Sequence, residues 1–502
     1  RAHERRHRLR APQRTRVVIA EILDESHLAA AQGAIATAGH SFRSFVVPTE
    51  KLLGLFFAGV VRRPGLGVLL NELLTSEGHE IYTCFFETSG LGFQVAKPSG
   101  LDGAAGPLLA GLFELGQRGG TSYGTVVPMG ILFDTPSQAA PRDFRIALNP
   151  APDEPLVASE VRGVVALADS FASVRAWASA WNAASTPLRE QGAPAPTAVA
   201  LPDLRRTRRA KTTRVLVCGF RPGTIYMLEE LFRSDPTGEL LVLVHDEATV
   251  RRAWRALENH SQLVQRGLMV GRHGTFVRMD GTRLEVRLPE HRDTPATMWL
   301  EVADWMASRT LVELPAGFGH VGDLDAVVFV AGDGDASDPR TTTALLKLEQ
   351  LCTRRPVAPT IVAEVFDDKL AARLCARAKT LGLDHVRVYS IQELRAFFLF
   401  QAVVVPGFDV MYEELLGAWG QSIVHKHVGE PRAGRCTFDA LSRELQRAGE
   451  LLVALELATP GDGRVRLVLA PRSSDPDGTF ELSRLRGCWV IAPDSGGAPT
   501  LS

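Results

Sequence analysis

The chain has 502 residues, 45% of them hydrophobic, which is enough for more than one domain with a proper core. Lysine and arginine number 56 against 57 aspartate and glutamate, a net charge of −1 that excludes a global field for nucleic acid or an acidic membrane surface. Six scattered cysteines form no CxxC pair and no metal-ligand spacing, which argues against a disulfide framework and for buried thiols in a reducing compartment.

Basic residues cluster locally, at 1–16 and 205–214. Residues 52–61 and 68–74 carry helical apolar patterns separated by Pro64-Gly65. A small β-rich lobe comes next over 81–169, then a Pro/Ala-rich stretch with the run Arg205-Arg206-Thr207-Arg208-Arg209. That composition reads as a semi-extended, solvated linker, in preference to a phosphate or lipid head-group site. The apolar run 215–219 ends in glycine, the pattern of a buried parallel strand. An amphipathic stretch over 225–232, a strand over 240–244 and a helix over 248–259 come after it. A Gly-rich hairpin-like insertion, 270–281, precedes an expected third strand at 284–288. Strands at 326–330 and 361–363 flank a helix over 341–351, so strand and helix alternate as in βαβ units. Residues 393–404 and 410–416 are again helical around Pro406-Gly407, and a second β-rich lobe closes the chain. No stretch spans a membrane: 52–70 is broken by Arg62-Arg63-Pro64, and 397–405 is too short. The charged start leads into no apolar run of signal-peptide type.

An internal repeat organises these elements. At a constant offset Ala20 matches Ala363, Glu21 Glu364, Asp24 Asp367, Gly39 Gly382 and Glu50 Glu393. After one residue of slippage the register continues through Leu52/Leu394, Phe56/Phe398, Val61/Val403, Gly65/Gly407 and Glu72/Glu414. A fainter echo relates Arg162-Gly163-Val164-Val165 to Arg486-Gly487-Cys488-Trp489. One complete copy therefore starts near Arg214, and the first copy begins only at its fifth strand. The expectation is a fragment of a longer protein, and the first residue, Arg1, agrees with it. The expected fold class is α/β: doubly wound, Rossmann-like parallel sheets with helical crossover hairpins and small β-rich C-terminal lobes, in tandem. The boundaries are 1–50 for the remnant of the first Rossmann-like lobe, 51–80 for the first hairpin, 81–183 for the first β-rich lobe and 184–212 for the linker. The second copy divides into 213–390, 391–422 and 423–502.

Several motifs carry a resemblance. They are Val-Leu-Val-Cys-Gly-Phe-Arg-Pro-Gly (215–223), Ser-Asp-Pro-Arg-Thr (337–341) ahead of a Leu-rich helix, and Ile-Val-Ala-Glu-Val-Phe-Asp (361–367). Pro-Gly-Phe with Tyr-Glu-Glu-Leu-Leu (406–416) and Leu-Asn-Pro-Ala-Pro-Asp (148–153) add to them. In this order they resemble the regulator-of-potassium-conductance (RCK) domains of the Castor/Pollux ion channel family and its bacterial relatives. The resemblance implies a gating-ring part at the cytoplasmic face of a membrane. It also implies homo-oligomers formed through the crossover hairpins, a pore domain missing from this chain or supplied in trans, and no nucleic-acid partner.

The residues offer two candidate ligand sites. The turn Gly219-Phe220-Arg221-Pro222-Gly223 stands where a dinucleotide fingerprint has GxGxxG, with Asp246 past the second strand placed as a ribose-binding acid. Arg221 in place of the middle glycine crowds the phosphate path, so a structural turn is the preferred reading and NAD the weaker one. Asp333, Asp335 and Asp338 come after the fourth strand at the carboxyl edge of the sheet and offer oxygen ligands to Ca²⁺ or another cation. The competing reading makes Asp338 the cap of a helix that starts at Pro339. Glu21 and Glu364, and Asp24 and Asp367, either line the clefts or cap helices. His245, His320, His385, His425 and His427 are isolated, with His425 and His427 sharing a strand face. No nucleophile, zincin or P-loop motif is present, so the expectation is a non-enzymatic module. The alternatives are a soluble Rossmann-type NAD-binding regulator or scaffold and, behind these, a nucleotide-dependent oxidoreductase.

Overall fold

The apolar runs of the second copy pair into one twisted sheet in a computed structural model of the chain. The structure describes residues 16–23, 27, 30–31, 34, 42–63, 65–75, 78–86, 93–95, 97, 103–118, 126–134, 144–151, 153–183, 202–207, 213–269, 272–291, 293, 295–332, 337–352, 358–405, 407–417, 420–430, 433–461, 464–471, 475 and 477–493. The basic run at 1–16 lies almost wholly outside the described residues, as do Asp24, Gly39, Asp333 and Asp335.

In the second lobe, strand Arg214–Cys218 lies between Glu239–Val244 and Ala326–Phe329, and parallel pairing continues outward to Ala296–Val302 on one side and to Thr360–Val365 and Val386–Ser390 on the other. This is a doubly wound order, with its switch point at the carboxyl ends of Arg214–Cys218 and Ala326–Phe329. Side chains alternate across it: Val215 and Val217 face one core, Leu216 and Cys218 the other. Both faces are covered, which is why these strands read as unbroken apolar runs. The expected third strand is corrected. Residues of Arg283–Arg287 run antiparallel, hairpin-paired with Thr275–Asp280, and the third parallel strand is Ala296–Val302. Its alternating burial hides it among polar residues.

The first copy contributes strands Arg16–Glu21 and Phe42–Val47, paired in parallel like Thr360–Val365 and Val386–Ser390. Each copy then forms a helical hairpin, Thr49–Arg62 with Leu66–Leu74 and Ile391–Val404 with Phe408–Leu416. Gly65 (φ 90°) and Gly407 (φ 82°) turn each hairpin through the left-handed region that glycine alone enters without strain.

The hairpins are exchanged between copies. A Cβ on Gly65 would touch Trp489 of the second C-terminal lobe at 3.0 Å, and one on Gly407 would touch Ile146 of the first at 3.1 Å. Arg62 donates to the carbonyl of Leu416 at 3.0 Å, and Gln401 donates to that of Leu74 at 3.3 Å. Leu74 and Leu416 are equivalent in the repeat, so these bonds close a pseudo-twofold pair. Within the chain, then, each hairpin docks on the other copy.

The two C-terminal lobes are built on five-stranded sheets. In the first, Glu80–Phe85, Val161–Ala168, Val126–Asp134 and Phe144–Leu148 lie side by side; in the second, Gln421–Val428, Leu485–Pro493, Leu451–Ala458 and Val465–Leu469 repeat that order. The sequence echo marks equivalent close approaches: a Cβ on Gly163 would meet the Cys84 carbonyl at 2.1 Å, and one on Gly487 would meet the Lys426 carbonyl at 2.7 Å. The lobes are more helical than their strands suggested, with Ala105–Arg118 and Phe171–Ala183 in the first and Phe438–Arg447 in the second. Within the expected linker, one short piece is not solvated linker. Leu204–Arg206 is an edge strand on Gln421–Val428, and Arg206 pairs with Glu450 at 3.2 Å. All six thiols are free.

Candidate functional site

The carboxyl edge of the second lobe, where such sheets bind ligands, is filled by the protein's own charges. Arg221 is the N-cap of helix Pro222–Ser234, with extended backbone, and its side chain turns inward. Nε and Nη2 of Arg221 donate to Oε2 and Oε1 of Glu364 at 3.1 and 2.8 Å, a bidentate pair, and Nη1 donates to Glu50. Glu364 sits near the end of strand Thr360–Val365 and also accepts the Ala331 N–H at 3.0 Å. Glu50 arrives from the other copy, in the first turn of helix Thr49–Arg62, and a second guanidinium, Arg395, donates to it.

Glu50 Oε2 also accepts the backbone N–H of Gly223 at 3.0 Å. Gly223 lies in the first turn of helix Pro222–Ser234, where free N–H groups and the helix dipole favour an anion. That is the position a Rossmann lobe gives to a pyrophosphate. Burial alone raises the Glu50 pKa, but the Arg221 and Arg395 charges outweigh burial and hold it below the ordinary carboxylate value. Burial likewise disfavours charged Arg221, and Glu364 and Glu50 overcome it and raise its pKa. Two carboxylates meet two guanidinium groups, so the buried cluster is charge-balanced.

The two glycines of the turn make room for protein groups. Gly219 takes φ 105°, and a Cβ there would lie 2.5 Å from the Val330 carbonyl. On Gly223 it would lie 2.4 Å from Arg221 Nη1 and 2.7 Å from Glu50 Oε2. Asp246 caps helix Glu247–Gln265, accepting the Thr249 N–H at 2.6 Å. That bond, first among the causes, lowers its pKa. His245 is 2.8 Å from Asp246 and 3.0 Å from Arg340.

Asp338 does something the cap reading did not foresee. It lies inside the first turn of helix Ser337–Cys352, and its two oxygens accept the N–H groups of Phe366 and Asp367 at 2.7 and 2.9 Å. Its carboxylate therefore clasps the turn after strand Thr360–Val365. Asp367 caps the next helix through Lys369 and Leu370, while Glu21, the counterpart of Glu364, accepts from Thr49 at 2.6 Å. His425 and His427 converge on Thr207, and His425 also meets Glu456 at 3.0 Å. His320 caps a turn by accepting the Gly322 N–H.

Sequence reading named Arg221 and Glu364 separately and missed Glu50 as their partner. Its one available signal, the match of Glu50 to Glu393, points away from the role, because Glu393 is exposed. Among the described residues no helix is long and apolar enough to cross a membrane.

No protein-family model matches the chain. No curated protein matches it either. Among solved structures, the human SLO3 gating ring superposes with a TM-score of 0.55 and 13% identity, over 96% of this chain and 82% of that one. The GsuK RCK domain covers 96% of this chain and 78% of its own, with a TM-score of 0.28 and 12% identity. The first likeness shows the fold: the α/β architecture found in that gating ring.

Proposed function

We propose that the chain is a regulatory, gating-ring-type module of an ion channel of the Castor/Pollux kind, working at the cytoplasmic face of a membrane without enzymatic activity. The reciprocal exchange of crossover hairpins carries this reading. A change in the relative stability of two lobe arrangements in either copy must reach the other through Glu50 and Arg62, which are held in the opposite lobe's helix Pro222–Ser234. NAD binding finds no support in the cleft, since Glu50 and Arg221 stand in the pyrophosphate position.

The repeat also supports a docking face for assembly. In the first hairpin, Gly54, Ala58, Val61 and Arg62 form the face buried on helix Pro222–Ser234. The equivalent residues Ala396, Phe400, Val403 and Val404 are exposed. Phe400 is 47% and Val403 45% accessible, with no partner helix among the described residues. The occupant is a Rossmann-lobe first helix equivalent to Pro222–Ser234, and the contact links this chain into a larger ring.

Rubidium flux into vesicles holding the natural membrane complex of this chain tests the reading. Flux is expected, and Arg221→Met should change the open fraction. A complex without ion flux, or flux indifferent to a variant that has freed the hairpin, contradicts it.

A further inference from the structure

A second buried cluster lies on the far end of the same helix. Helix Pro222–Ser234 carries Glu229, helix Glu247–Gln265 carries His260, and His273 lies two residues ahead of strand Thr275–Asp280. His260 Nε2 is 2.9 Å from Glu229 Oε1, and His273 Nδ1 is 3.2 Å from Glu229 Oε2. The three side chains are 5%, 4% and 1% accessible for His260, His273 and Glu229. Their donor atoms all lie within 4.8 Å of one another. The imidazole rings stand nearly perpendicular, 5.4 Å apart, with Tyr226 packed edge-on against both.

We infer that Glu229, His260 and His273 form a binding site for a divalent transition-metal ion of the zinc class. Three arguments converge. The donor set, two imidazole nitrogens and a carboxylate, is that of a three-ligand zinc site with a fourth position left for water, and it is wrong for calcium, which takes oxygen ligands. Tetrahedral zinc with bonds near 2.0–2.1 Å holds its donor atoms about 3.3 Å apart. The three donor atoms here lie within 4.8 Å of one another, and the imidazole nitrogens, 2.9 and 3.2 Å from the two oxygens of Glu229, draw together around the ion when it binds.

Charge is the third argument. Arg62 pairs with Glu230 at 3.0 Å. Arg233 lies among Glu230, Glu290 and Glu229, at 3.4, 3.8 and 3.7 Å. Three carboxylates thus face two guanidinium groups, with the two imidazoles against Glu229. A divalent ion on Glu229 is thus placed where carboxylates outnumber guanidinium groups. The carboxylate is already oriented, because Oε1 accepts the Gly274 N–H at 2.7 Å, the kind of outer contact that fixes a ligand.

The location gives the ion a consequence. Glu230, next in sequence, holds Arg62 of the first hairpin, so an ion on Glu229 fastens three elements of the lobe at the helix on which that hairpin rests. The site stands independently of the channel reading, and failure of either leaves the other.

The test is titration of the chelator-stripped full chain with Co²⁺ and Zn²⁺. One equivalent of Co²⁺ should produce the intense visible bands of a tetrahedral N/O site, one equivalent of Zn²⁺ should displace it, and Zn²⁺ should raise the melting temperature. His273→Gln, which keeps a polar group beside Glu229, should weaken Zn²⁺ binding at least tenfold, and His260→Gln likewise. Three results overturn the proposal: no tetrahedral Co²⁺ spectrum in the wild-type chain, no thermal shift with Zn²⁺, or one-equivalent binding that persists in the double variant. The wild-type titration decides the matter even where a variant fails to fold.

Discussion

The carboxylate of Glu50 accepts the backbone N–H of Gly223 at 3.0 Å, across the boundary between the two copies of the repeat. An anion supplied by the protein thereby occupies the helix N-terminus that a Rossmann lobe elsewhere offers to phosphate. The hairpin that brings Glu50 is thus fastened into the second lobe at its most ligand-receptive point.

Arg221→Met leaves Glu364 buried without its guanidinium and Glu50 with Arg395 alone. Removing one partner of a buried ion pair costs about 3–5 kcal/mol, and urea denaturation should show a loss of that order. Arg221→Lys should restore little, since an ammonium cannot make the bidentate pair with Glu364. Calorimetric titration of the wild-type chain with NAD should give no binding heat.

Gly54 sets how closely the first hairpin approaches. A Cβ there would lie 2.3 Å from the Gly223 carbonyl, a backbone atom that cannot move aside cheaply. Gly54→Leu should destabilise the chain by about 1–3 kcal/mol or more, as overpacking does. Gly332→Ala, with nothing within 4 Å of its Cβ, should stay within about 0.5 kcal/mol. Equal effects on the melting curves of the two variants would refute the close-approach argument.

The joint between the second hairpin and the first C-terminal lobe should respond to pH. Burial pushes the Glu414 carboxyl up to about 8, against the opposing effect of N–H groups from Gln421 and Leu148. A carboxyl whose folded pKa exceeds its unfolded value adds stability fully below the unfolded value and loses it as pH rises through the folded one. The denaturation midpoint should therefore fall between roughly pH 5 and pH 8, and Glu414→Gln should flatten that fall. Glu50 has the opposite sign. With its folded pKa lowered, its contribution is present above the ordinary glutamate value and disappears as pH falls through the folded value.

The exposed face of the second hairpin should matter for assembly and not for folding. Phe400→Asp and Val404→Asp change exposed positions, so the melting temperature should scarcely move. Light scattering of the natural complex should show it falling to smaller species. Unchanged mass in both variants would remove this face from the assembly.

The hairpins were legible because each pairs an apolar helical stripe with a Pro-Gly break, and the repeat shows the pattern twice. The doubly wound lobe was legible from unbroken runs such as Val215, Leu216 and Val217, which reflect burial on both faces. Strand Ala296–Val302 was not, because its alternating side chains mimic an exposed segment, while the preceding Leu284 and Val286 supplied a more apolar decoy. Leu204–Arg206 joins the sheet through its backbone and through an Arg206 ion pair with a residue far along the chain, and an arginine run gives no strand signal. The site depends on contacts between distant positions: Arg221 and Glu50 stand 171 residues apart. Neither a motif nor a period records that meeting, and the equivalence of Glu50 to exposed Glu393 conceals it.

Hydrogen exchange measured by mass spectrometry tests most directly whether the exchanged hairpin and the second lobe act as one unit. Arg221 belongs to the second lobe, whereas the peptide spanning 49–62 belongs to the first copy. In Arg221→Met, amides of 49–62 should exchange faster together with those of 222–234. If the 222–234 peptide responds while 49–62 keeps its wild-type protection, the two are not coupled and the account fails.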